Sequence, residues 1–321
     1  MNILFFTLIM ITCSWSIQAV DLDYAILNGD VKIVEKAMKE NPDDINKVFD
    51  DKKTPLALVL TDISLHGNLD QNRVEILKEL LKSEKIDVNA PIKVFDTVNT
   101  EKQVSPLIAV AYNYFFHNKS IELETRSDMI IALLKSGKIN DVNPVLPDDN
   151  RTLLRWAACN KAINVIDALL KTGKVDVNAA DEEGNTVLHD VIFFSGWNGE
   201  EGDFAETIKT LVATKNININ AKNNLGDTPL HVVVDPDNGI RDKFIVQELL
   251  KAKDIDIYAT NNAGKTPLDM AEGEIKEILK QAVAKNSLKY KLIHLKTQLE
   301  SLNKKLSALR DGLNNLKKQL P

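Results

Sequence analysis

The chain has 321 residues, a formal net charge of −6 and two cysteines, Cys13 and Cys159. Its charge is unevenly placed: residues 285–321 hold nine Lys or Arg against two acids, Glu300 and Asp311, a net +7 that leaves −13 for the rest. An acidic body joined to a basic end is not the composition of a nucleic-acid binder, and loss of Cys13 with an N-terminal leader leaves no internal disulfide.

Residues 1–19 read as a secretory signal peptide. They contain no acid, an apolar run from Ile3 to Ile11, and the small residues Ser14, Ser16 and Ala19, which place cleavage after Ala19. The apolar run is short for a membrane span. The expected location is therefore secreted or periplasmic. The alternative is a membrane-tethered structural protein that retains this segment and lays its basic helix on lipid.

From residue 20 onward one opening recurs six times: Thr54-Pro55-Leu56-Ala57, Ser105-Pro106-Leu107-Ile108, Thr152-Leu153-Leu154-Arg155, Thr186-Val187-Leu188-His189, Thr228-Pro229-Leu230-His231 and Thr266-Pro267-Leu268-Asp269. Each hydroxyl residue suits an N-cap, and Pro behind it suits the first helical position. Gly184, Gly226 and Gly264 lie two residues before a signature Thr, where a turn needs positive φ; Asn150 takes that place in the fourth unit. An apolar helix follows each opening. A second helix with paired apolar residues comes next, such as Val165, Ile166, Leu169 and Leu170, and the unit closes on endings such as Asp176-Val177-Asn178. The period from Thr152 to Thr186 is 34 residues. Counting back from Asn46 starts a first unit at Val20, which makes seven units.

These residues resemble the ankyrin repeat, a β-turn and two antiparallel helices with a Thr-Pro-Leu-His opening. The resemblance implies an all-α solenoid of about seven helix-turn-helix units with short β-hairpin turns over residues 20–284, working as a protein-binding scaffold. It also implies that His189 and His231 bond to the hairpin backbone. The Lys-, Asn- and Ile-rich composition suggests a bacterial source, and family habit then suggests a host-directed effector.

The copies are unequal. Against the Thr152 unit, the second, third, fifth and sixth are longer by nine, twelve, eight and four residues, and eight more extend the segment between Asn89 and Ser105. The surplus is expected between paired helices, along one edge, where insertions often build a binding face. Tyr114, Phe115 and Phe116 in one insertion, with Phe193, Phe194, Trp197 and Phe204 in another, either anchor a partner or fold down to plug helix ends. Tyr114, Phe115, Phe116, Trp197 and Phe204 are the candidate partner-binding residues, Trp197 being the one expected to be exposed.

Residues 285–321 form a basic leucine-heptad helix. Leu292, Leu295, Leu299, Leu302, Leu306, Leu309, Leu313 and Leu316 alternate spacings of three and four, the a and d positions of a coiled coil. The flanking positions hold Lys291, Lys296, Lys305, Arg310 and Lys317 and no acid. This helix is expected to form a homo-oligomer or to meet an acidic partner, with membrane contact less favoured.

Catalytic chemistry has no constellation here. Cys159 reads as a buried inert thiol, and the segment from Asp235 to Gly239 reads as a turn rather than a calcium loop. The sequence calls for no metal and no cofactor, and the expectation is a binding protein rather than an enzyme.

Overall fold

The computed structural model describes residues 21–49, 52–61, 70–95, 100–112, 123–146, 151–198, 204–238, 240, 242–286, 299, 302, 303, 305–307 and 310. The signal-peptide segment and Asn150 lie outside them. Two compact units are formed, Met1–Asp181 and Glu182–Pro321.

In the first unit, α1 (Leu22–Leu27) pairs with α2 (Val31–Glu40), and α3 (Pro55–Thr61) with α4 (Asp70–Leu81). Then α5 (Pro106–Tyr112) pairs with α6 (Leu123–Lys135), and α7 (Leu153–Cys159) with α8 (Ile163–Lys171). The first helices α1, α3, α5 and α7 pack in series, and so do the second helices α2, α4, α6 and α8. The eight extra residues before Ser105 form a strand pair, β1 (Ile92–Phe95) antiparallel to β2 (Glu101–Val104), with Ile92 opposite Val104.

The second unit repeats the plan. Helix α9 (Val187–Asn198) pairs with α10 (Ala205–Val212) and α11 (Pro229–Val234) with α12 (Lys243–Lys251); α13 (Pro267–Met270) is followed by α14, helical over residues 273–286. Helices α9, α11 and α13 form one row, and α10 and α12 the other. Among the described residues there are thus six helix pairs, followed by α13 and α14, in the order of the seven units read from the sequence.

The openings behave as their chemistry requires. Pro55, Pro106, Pro229 and Pro267 each begin a helix, where a missing N–H costs nothing. Thr54 and Thr152 accept at Oγ1 from the N–H groups of Ala57 and Arg155, at 3.2 and 3.3 Å. First helices are enclosed by two row neighbours and their own partner, so every residue from Pro229 to Val234 is buried, as is Pro55 to Leu60. Second helices keep a solvent face, where Glu75, Asp128 and Lys135 lie exposed.

Two expectations are corrected. Part of the fifth unit's surplus lengthens α9 to 12 residues instead of forming a loop, so Phe193 and Phe194 are helical. Cys159 ends α7 and is half-buried rather than enclosed.

Candidate partner-binding surface

A recognition surface is what remains after stacking has claimed its residues, so the stacking groups come first. The unit endings act as clasps. The Asn143 side chain donates to Lys174 O at 3.0 Å and accepts from Asp176 N at 2.8 Å. Asn46 brackets Lys85 O and Asp87 N in the same way, Asn89 brackets Lys138 O and Asn140 N, and Asn220 brackets Asp254 O and Asp256 N. Each amide thereby satisfies a backbone carbonyl and an N–H two residues apart in the next repeat, where a turn would otherwise leave them unpaired. The residue two before the clasp steadies the turn: the Asp87, Asp141 and Asn218 side chains accept from the N–H groups of Asn89, Asn143 and Asn220.

The fourth place of the opening makes a second tie. His189 is 2% exposed; its Nδ1 accepts from Thr186 N at 3.1 Å, which leaves Nε2 to donate to Asp227 O at 3.0 Å. His231 does the same between Thr228 N and Lys265 O, at 3.2 and 3.0 Å. Both rings hold the following hairpin, as the family resemblance implied. In the fourth unit Arg155 stands in for His and reaches the Asp181 carboxylate at 2.7 Å.

Hairpin tips of the second unit interlock through backbone. Asn224 N donates to Glu183 O at 2.9 Å, and Asn262 N to Leu225 O at 3.0 Å. Gly184 and Gly226 adopt φ of 78° and 76°, as the turn reading expected. A Cβ on Gly226 would stand 2.5 Å from Asn262 Oδ1, so this glycine is needed for close approach as well as for its φ.

The Ankyrin repeat family model matches residues 149–182, the unit with the shortest spacing. Residues 149–182 are an ankyrin repeat. Among solved structures, the chain is similar to the ankyrin repeat domain of Bcl-3, a member of the IkappaB protein family, with 17% identity and a TM-score of 0.54. That match covers 81% of this chain and 97% of the other, and shows the shared fold. No curated protein matches the chain in sequence.

Of the expected contact residues, Phe204 is corrected. It is 2% exposed, at the head of α10, with Ile208 and Leu211 at 0% on the same face four and seven residues on. That spacing is a buried helical stripe, and the signal was present in the sequence. Trp197 lies on the backbone of α9, and its side chain is outside the described residues, as are Tyr114, Phe115 and Phe116 entirely. Leu292, Leu295, Leu309, Leu313 and Leu316 also lie outside them. Leu299, Leu302 and Leu306 are helical and exposed.

Other apolar groups face solvent that the sequence reading did not select. Leu225, at a hairpin tip, is 68% exposed, and Phe193 on the lengthened α9 is 41% exposed. The signal for Leu225 was its place before a turn glycine, where Glu183 and Ala263 stand in the neighbouring copies. In the first unit, open furrows of about 440 and 420 Å³ run along the second-helix row, lined by Leu81, Ile131, Leu134, Lys78, Lys135 and Lys171 among others. Among the described residues no group of His, Cys, Asp or Glu is placed to hold a metal ion, and no helix is long and apolar enough to cross a membrane.

Proposed function

We propose that the chain is an exported, non-enzymatic scaffold that binds a partner protein through its repeat surface and the insertions between paired helices, while the C-terminal leucine ladder serves oligomerisation or docking. Ankyrin repeats generally mediate protein–protein interaction, and their fold is a binding fold rather than a catalytic one.

Leu225 carries the reading. Its carbonyl accepts the interlocking bond from Asn262, and its N–H is held by Asn223 Oδ1 at 3.0 Å, while its side chain projects 68% exposed. The backbone at the tip is committed to the stack and the side chain is not, which is the division of labour a preorganised recognition surface needs. Phe193, exposed on the lengthened helix of the fifth unit, adds a second rigid apolar group.

The test is cross-linked capture from the native compartment, with Leu225→Asp, Phe193→Asp and Trp197→Ala compared with the unaltered chain. Capture of one protein species should fall about tenfold or more in at least one variant with circular dichroism unchanged. Equal capture by all four proteins overturns the surface assignment. N-terminal sequencing tests export: a mature chain beginning at Val20 is expected, and one beginning at Met1 sinks it.

A further inference from the structure

We propose that the C-terminal helix binds an acidic amphipathic helix of another polypeptide, in a heteromeric coiled coil, rather than a second copy of itself; this rests on the docking reading above. Leu299, Leu302 and Leu306 are 58%, 61% and 67% exposed, so no described residue covers these rungs of the ladder. Lys305 and Arg310 beside them are exposed as well. A leucine row left in water is a seam that awaits a partner helix with matching heptads.

Charge selects that partner. With Leu292 at position a, the e and g positions hold Lys291, Lys296, Gln298, Asn303, Lys305, Arg310, Gly312, Lys317 and Gln319, five basic residues and no acid. A parallel pair of copies sets Lys291 against Lys296 and Lys305 against Arg310. An antiparallel pair sets g against g and e against e, which again brings no opposite charges together. No homotypic register supplies an attractive flank, whereas a helix with Glu or Asp at e and g satisfies all five cations. A lipid surface suits the pattern less well, because a strict a and d seam is narrower than the apolar face an interfacial helix buries.

The experiment uses the full chain and two fluorescent synthetic peptides, both with Leu at a and d, one with Glu and one with Lys at every e and g. The chain alone should sediment as a monomer and bind the Glu peptide about tenfold or more tightly than the Lys peptide, the expectation for several exposed pairs each of small worth. Lys305→Glu with Arg310→Glu should narrow that preference, and Leu299→Asp with Leu306→Asp should abolish binding. A chain that self-associates, and that the two Leu substitutions make monomeric, overturns the acidic partner while leaving the coiled-coil reading in place. Failure to self-associate and to bind either peptide sinks both. Co-sedimentation with phosphatidylglycerol vesicles in preference to the Glu peptide overturns the proposal in favour of a membrane.

Discussion

Arg155 Nη2 lies 2.7 Å from Asp181 Oδ2, with the two side chains 4% and 13% exposed. The pair joins the first helix of the fourth repeat to the turn beyond it, the connection that His189 and His231 make to backbone carbonyls in the second unit. One place in the opening therefore has one mechanical task met by two chemistries. The other openings depart: Ala57 and Ile108 carry no polar side chain at that place, and Asp269 turns back to its own Thr266 before the chain continues into α14.

Arg155→Ala should leave the Asp181 carboxylate poorly solvated without its partner. We expect a loss of about 3 kcal/mol in urea denaturation followed by circular dichroism. Arg155→Met combined with Asp181→Leu should lose less than half as much, since replacing both charges removes the desolvation cost together with the attraction. A single variant within about 1 kcal/mol of the parent would show that the pair is not a structural tie.

Asn143→Ala removes both bonds of one clasp. A cost of about 1–2 kcal/mol is expected, together with faster hydrogen exchange at the Asp176 amide, whose acceptor is lost. Unchanged exchange at that amide would place its protection elsewhere.

Two glycines with nearly the same φ separate conformational strain from crowding. Gly264 has φ 73° with nothing within 4 Å of an added Cβ, whereas on Gly226 the Cβ would meet Asn262 Oδ1 at 2.5 Å and Asn262 N at 2.7 Å. Gly264→Ala should cost about 1 kcal/mol, the ordinary cost of alanine at positive φ, and Gly226→Ala at least twice that. Thermal melts that show equal losses would mean the hairpin tips separate freely.

Asp269 gives the second unit an acid-sensitive end. The Thr266 hydroxyl, at 2.6 Å from Oδ2, and the Thr266 N–H, at 2.9 Å, hold its carboxyl below the ordinary Asp value. Because the folded pKa is depressed, its contribution is complete above the ordinary Asp range, near pH 4, and is lost as pH falls through the lower folded value. Protection of the α13 amides, taken relative to their intrinsic exchange rate at each pH, should therefore fall below about pH 4, and Thr266→Ala should move that onset upward. An onset unaffected by Thr266→Ala would exclude the cap as its cause.

Local chemistry repeated along the chain was enough to determine the repeat itself. Thr or Ser before Pro starts a helix by satisfying its free N–H groups, glycine admits the left-handed turn, and paired apolar residues at helical spacing require a stack. These causes act within a few residues, so Thr228-Pro229-Leu230 and Gly226 were legible without coordinates. The tertiary structure alone decided which neighbours those residues meet. Asn143 closed a unit in the sequence, yet its two bonds lie in the next repeat, more than 30 residues away. Arg155 broke the signature in the sequence and in the fold keeps the signature's function through Asp181. Phe204 and Leu225 both stood in or beside variable segments; burial on the same helical stripe as Ile208 and Leu211 claimed the first, and a backbone interlock with Asn262 left the second facing water. Whether a side chain is enclosed depends on surfaces brought together from distant parts of the chain, and no local spacing fixes them.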